Sequence, residues 1–107
     1  MYEILRYQDE KGRVPFGDWL VGLRDKTAAA RIRVRLRQVS GGNLGDTKPV
    51  GEGVNELRIH VGAGYRVYFG QYGKDLIILL YGGDKATQPA DIERAKRFWK
   101  DWKERQE

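Results

Sequence analysis

The spacing of apolar residues changes several times along the chain, and each change marks the end of one element and the start of another. From residue 56 the period is two: Leu57, Ile59 and Val61 alternate with Glu56, Arg58 and His60, and Tyr65, Val67 and Phe69 alternate with Arg66 and Tyr68. Such alternation predicts two strands, each with one apolar and one polar face. Between them Gly62-Ala63-Gly64 reads as a hairpin turn, because glycine supplies the positive φ that tight loops need. A three-residue loop sets Val61 opposite Tyr65, Ile59 opposite Val67 and Leu57 opposite Phe69, keeping the apolar side chains on one face; a two-residue loop would mix the faces. The same register pairs His60 with Arg66 and Arg58 with Tyr68, so that Arg58, His60, Arg66 and Tyr68 share the polar face. Residues 76 to 81, Leu-Ile-Ile-Leu-Leu-Tyr, are apolar without alternation, as expected of a strand buried on both faces. Gly82-Gly83-Asp84-Lys85 follows and is expected to turn, presenting Lys85 where the strand leaves the core.

Elsewhere the period is helical. After a short strand over residues 2 to 7 and a polar turn, Pro15 suits the first position of a helix whose apolar face is Phe16, Trp19, Leu20 and Leu23. Gly17 and Gly22 weaken this helix by about 1 kcal/mol each relative to alanine, so packing must hold it. Residues 27 to 39 contain a strictly alternating run, Arg31 to Arg37, yet Ala28 to Ala30 and the stripe Ala29, Ile32, Leu36 and Val39 assign them to a helix, with Val34 off the stripe. The glycine-rich loop over residues 40 to 46 lacks the lysine and hydroxyl spacing of a phosphate-binding P-loop and reads as a connector. Lys48-Pro49-Val50-Gly51-Glu52-Gly53 leads into the hairpin. A last helix begins at Pro89 with Gln88 as its cap, Asp91 and Glu93 near its positive end, and Ile92, Ala95, Trp99 and Trp102 as its apolar stripe with Phe98 beside it. These aromatics read as core or partner contacts rather than as platforms for bases. The predicted architecture is α+β: a single domain over residues 1–107, with an N-terminal strand, two helices, an antiparallel three-strand meander and a C-terminal helix.

Composition narrows the chemistry. The chain contains no cysteine and one histidine, which excludes disulfides, thiolate metal sites and a histidine metal cluster within one chain. With no apolar run long enough to span a bilayer and no signal-like apolar N-terminus, a cytoplasmic protein without membrane association is expected. The formal charge is +5, and residues 24 to 37 account for it: Arg24, Lys26, Arg31, Arg33, Arg35 and Arg37 stand against Asp25 alone. These arginines read either as a solvated helix face or as a docking surface for nucleic acid or an acidic protein.

Three stretches carry a family resemblance. They are Val50-Gly51-x-Gly53-Val54-x-Glu56-Leu57-Arg58-Ile59; Gly64-Tyr65-Arg66-Val67-Tyr68-Phe69; and Leu79-Leu80-x-Gly82-Gly83-Asp84-Lys85-x-Thr87-Gln88-x-x-Asp91-Ile92-x-x-Ala95. Together with Pro15-Phe16-x-x-Trp19-Leu20, Arg35-Leu36 and Gly42-Asn43, and with the order of elements, the chain resembles the HigB-type addiction-module killer proteins of the RelE/ParE toxin superfamily over nearly its whole length.

The resemblance implies a RelE-like compact fold and the toxin of a type II toxin-antitoxin pair, neutralised by a cognate helix-turn-helix antitoxin. Many such toxins cut messenger RNA on the ribosome: the ribose 2′-OH attacks the adjacent phosphate without metal or cofactor, leaving a 2′,3′-cyclic phosphate and a 5′-OH. By the same resemblance, Arg66 matches a position that binds the scissile phosphate. Lys85 lies where the family carries another catalytic cation, and Arg58 where members carry lysine or arginine. His60 is a candidate base or acid because imidazole titrates near neutrality. Arg58, Arg66, Tyr68 and Lys85 are then the expected RNA-binding residues, and the proton donor to the leaving oxygen is unassigned. Arg58 and Arg66 also read as ordinary polar-face residues of a half-exposed sheet, and Tyr68 as packing. Two other functions share these features: a ParE-like inhibitor of DNA gyrase, and a non-catalytic nucleic-acid-binding protein that uses the Arg31 to Arg37 face.

Overall fold

Five strands and three helices account for the periods in the sequence, and in a computed structural model describing residues 1–106 they occur as β1 (Glu3–Arg6), α1 (Pro15–Gly22), α2 (Lys26–Ser40), β2 (Thr47–Gly51), β3 (Val54–Ile59), β4 (Tyr65–Tyr72), β5 (Leu76–Asp84) and α3 (Gln88–Arg105). A 3₁₀ turn, Lys85–Thr87, joins β5 to α3. The strands form one mixed sheet in the order β1-β5-β4-β3-β2, with β1 parallel to β5 and every other pair antiparallel. The α+β class expected from the sequence is therefore present, with the three expected hairpin and apolar runs embedded in a five-stranded sheet.

The sheet is covered on both faces. On one, Leu57, Ile59, Tyr65, Val67, Phe69, Ile77 and Leu79 pack with Phe16 and Leu20 of α1 and with Ala28, Ala29, Ile32 and Val39 of α2. On the other, Val54, Tyr68, Ile78 and Leu80 pack with Ala95 and Trp99 of α3. Residues 77 to 80 point alternately into the two cores, which is why that run shows no polar position. Both N-terminal helices begin for local reasons: Pro15 occupies the first turn of α1, and the Asp25 carboxylate caps α2 by accepting from the Ala28 amide at 3.0 Å. Val34, off the helical stripe, is exposed.

Four sequence expectations are corrected. The segment leading into the hairpin is itself a strand, β2, paired with β3; its Pro49 is tolerated because β2 is an edge, where a missing donor costs no ladder bond. The hairpin loop is longer than three residues: Ile59 pairs with Tyr65, Leu57 with Val67, Arg58 with Arg66 and Glu56 with Tyr68, leaving residues 60 to 64 as the loop. Hydrogen bonds from Val61 N to Ile59 O and from Gly64 N to Val61 O close that loop on itself and remove His60 and Val61 from the ladder. A slip of two residues preserves which face each side chain occupies. Gly82 and Gly83 are strand residues, not a turn: the Trp19 ring lies against Gly82, and the Asp91 carboxylate against Gly83. Gln88, expected as a cap, is the first residue of α3 and makes its hydrogen bond elsewhere.

The Gly82 contact makes a prediction. A Cβ there overlaps the indole of Trp19, so Gly82→Ala is expected to destabilise the domain by about 1–3 kcal/mol. Urea unfolding followed by tryptophan fluorescence measures it, and an unchanged midpoint would show that α1 does not pack on β5 in this way.

Candidate functional site

The hydrogen-bonding register of β3 and β4 sets Arg58 directly opposite Arg66, and the next pair on the same face sets Glu56 opposite Tyr68. All four belong to the sheet face covered by α3. The covering is what changes their chemistry, because a face that would be solvated in a half-exposed sheet becomes a buried polar layer. Glu56 has no exposed surface. Its Oε1 lies 3.6 Å from Arg58 Nε, and its Oε2 lies 3.4 Å from Arg66 Nε and accepts a 2.7 Å hydrogen bond from Gln88 Nε2. Arg66 is further held by donation from Nη1 to the Gly64 carbonyl at 3.2 Å. Both Nε atoms are buried and meet Glu56 as ion pairs rather than hydrogen bonds, whereas the Arg58 side chain as a whole is 31% exposed and that of Arg66 13%. The pair is therefore anchored within the fold and partly open to solvent.

Lys85 joins them at the same end of the sheet. Gly83 stands opposite Arg66 on β5, and Lys85 follows two residues later, exposed, at the start of the 3₁₀ turn. The loop backbone at Gly64 lies beside both residues: a Cβ built there would be 3.8 Å from Lys85 Cβ, the base of that side chain, and 3.9 Å from Arg66 Nη1. Arg58 and Arg66, singled out from the sequence, are thus brought together, and the chain presents Lys85 at the same end of the sheet.

His60 is placed differently from expectation. It stands in the loop, 73% exposed, with Nε2 2.5 Å from Asp46 Oδ2, and it does not pair with Arg66. Asp46 connects it to the cluster, since its Oδ1 lies 3.9 Å from Arg58 Nε and its carbonyl accepts from the Arg58 amide at 3.0 Å. The hydrogen bond from His60, aided by the charge of Arg58, holds the Asp46 carboxyl below the usual aspartate range. Asp46, Arg58 and His60 also border an open groove of about 270 Å³ whose other wall is Arg31, Val34, Arg35 and Gln38 of α2. The basic helix therefore continues the cation cluster along the surface, with Arg35 turned inward to donate to the Asn43 and Leu44 carbonyls.

Tyr68 is fully buried beneath α3 and offers no face to a base, which corrects its expected RNA-binding role. Among the described residues its hydroxyl makes no well-formed hydrogen bond, although Glu56 lies close by; burial, and then the charge of Glu56, push its pKa well above the ordinary tyrosine value. Tyr68→Phe is accordingly expected to be neutral or to stabilise by about 1 kcal/mol, because it removes an unpaired buried polar group. Chemical denaturation tests this, and a loss above about 1 kcal/mol would mean that the hydroxyl has a partner in solution.

Four members of the site escape a sequence reading: Glu56, Asp46, Gln88 and Asp91. Asp91 lies above Gly83, accepts from Thr87 Oγ1 at 2.5 Å and, through burial, has its pKa raised. The Glu56-x-Arg58 spacing was the one available signal, since it puts an acid and a base on the same strand face. Among the described residues, no group of three or more histidine, cysteine, aspartate or glutamate side chains is placed to hold a metal, and no helix is long and apolar enough to cross a membrane.

Fold and site together define a small α+β domain that gathers cations around a buried carboxylate at one end of a mixed sheet. Over 86 residues the chain is 46% identical to a Haemophilus influenzae protein described as uncharacterized, an alignment that covers 80% of this chain and 87% of that protein. The chain belongs to the same family as that protein. No family model matches it.

Proposed function

We propose that this protein is a HigB-type toxin with a RelE-like fold, an endoribonuclease that cuts messenger RNA on the ribosome and is held in check by a helix-turn-helix antitoxin. The observation that carries the reading is the pairing of Arg58 with Arg66 across β3 and β4, with Lys85 at the start of the turn that follows β5 at the same end of the sheet. The resemblance of those segments to the toxin motifs supports it. In the proposed reaction the 2′-oxygen forms a bond to phosphorus as the P–O5′ bond breaks; the 2′ proton passes to a base, and the 5′-oxygen receives a proton on leaving. Arg66 and Lys85 stabilise the extra negative charge on the phosphate, and Arg58 binds it from the neighbouring strand. His60 is the candidate proton carrier, oriented by Asp46 as a carboxylate orients an imidazole. The cations and the ribosome together position the messenger.

If His60 moves a proton, His60→Gln should slow single-turnover cleavage by about 10²–10⁴-fold. A near-wild-type rate would sink that role and leave His60 a neighbour of Asp46. The proposal as a whole is tested by brief expression of wild type and Arg66→Ala in bacteria, mapping messenger 5′ ends. New ends within translated frames that require Arg66 support it, whereas growth arrest with DNA damage and intact messengers points to gyrase. A non-catalytic nucleic-acid-binding protein is the second reading, favoured by the exposed Arg31, Arg33 and Arg37 on α2. It predicts salt-sensitive binding with nothing cut.

A further inference from the structure

Arg58 and Arg66 are cross-strand neighbours, and like charges so placed repel one another. Each also has a long side chain with about 2 kcal/mol of rotamer entropy to lose before it can hold a fixed position. What lies between them is Glu56, wholly buried, with one carboxylate oxygen toward each guanidinium. The same carboxylate accepts from Gln88, three residues beyond Lys85 and across the 3₁₀ turn that carries it. One side chain therefore contacts both arginines and the segment that presents the lysine. A buried carboxylate is costly unless its partners are well arranged, and its desolvation is a poor route to stability alone.

We infer that Glu56 is the positioning residue of this site, fixing the directions of Arg58 and Arg66 and tying the Lys85 turn to β3, so that three cations face a single phosphate. The inference rests on the proposed function for its kinetic consequence but not for its structural one. Glu56 is the carboxylate that the two arginines share, while Asp46 borders Arg58 alone, so the geometry of the pair is set from below. Glu56 touches no substrate; it acts through the arginines.

The test compares wild type with Glu56→Gln, which keeps the shape and removes the charge, and with Gln88→Ala, which keeps the charge and removes one hydrogen bond. Arginine Nε–Hε signals measured by NMR report whether Arg58 and Arg66 are held, independently of any activity. Single-turnover cleavage on programmed ribosomes reports the consequence. Glu56→Gln is expected to remain folded, to leave the two Nε–Hε signals averaged or exchange-broadened, and to lower the maximal cleavage rate by about 10²-fold, with a smaller change in the concentration giving half-maximal rate. Gln88→Ala should show the same effects at about a tenth of the size in rate. If Glu56→Gln does not fold, Gln88→Ala decides: loosened arginines support the inference and unchanged ones overturn it. Unchanged arginine signals and rate in a folded Glu56→Gln protein overturn it outright. If the wild type itself cuts nothing, the proposed function fails, and the arginine signals alone then uphold or overturn the positioning role.

Discussion

Arg66→Ala is expected to lower messenger cleavage by about 10²–10³-fold, the usual consequence of deleting one fixed donor to a developing anionic transition state. The figure is a floor, because Arg66 also has a structural partner: its removal leaves the buried Glu56 with Arg58 and Gln88 only. Breaking a buried ion pair by removing one member commonly costs about 3–5 kcal/mol, and the surviving Arg58 contact should hold the loss below that range. The kinetic comparison therefore requires the variant to be folded, which tryptophan fluorescence reports through Trp19 and Trp99 in the two cores. Arg66→Lys separates the two effects: it retains the charge but not the planar fork, so most of the stability should return and only part of the rate. Loss of folding with no loss of specific rate in the folded fraction would make Arg66 a structural residue.

The largest loss of stability is expected for Trp99→Ala, about 3–5 kcal/mol. Trp99 is 4% exposed and lies flat over β4, where Gly70 has no Cβ to hold it off. The Trp102 ring stacks beside it at 5.5 Å and 8°, and Lys103 Nζ sits 5.3 Å from its ring centroid. Such a loss is a large part of the roughly 5–15 kcal/mol that holds a domain together. Its consequence extends to the site, since α3 covers Glu56 and Tyr68, and loosening the helix admits water to the layer beneath Arg58 and Arg66. Urea denaturation of Trp99→Ala beside Trp102→Ala, whose ring is only partly buried, gives the comparison. A loss below about 1 kcal/mol for Trp99 would identify α3 as a detachable partner surface instead of a wall of the core.

Where the sequence period was unambiguous, the element was legible. The alternation through β3 and β4, the unbroken apolar run of β5 and the stripes of α1 and α3 each follow from a single burial pattern. The strand over Thr47–Gly51 was hidden because a proline and two exposed residues describe an edge as well as they describe a loop. The hairpin register failed for a related reason: slips of two residues leave the apolar face intact, so alternation alone cannot choose among them. That slip decided the partner of each arginine, placing Arg58 rather than His60 opposite Arg66. Arg58, Arg66 and Lys85 could be named from the motifs, but Glu56 could not be recognised as the centre of the cluster until α3 was seen to cover its face. Tyr68 shows the same limit, since its burial depends on a helix nearly 30 residues further along the chain.

The proposed cleavage is tested most directly by the products of one reaction. Purified wild-type protein and Arg66→Ala are each added to ribosomes engaged on a defined messenger, and the ends of any fragments are analysed. Fragments carrying a 2′,3′-cyclic phosphate and a 5′-OH with the wild type, and at least about 10²-fold fewer with Arg66→Ala, are the predicted result. An intact messenger in the presence of folded wild-type protein, or fragments formed equally by Arg66→Ala, would contradict it.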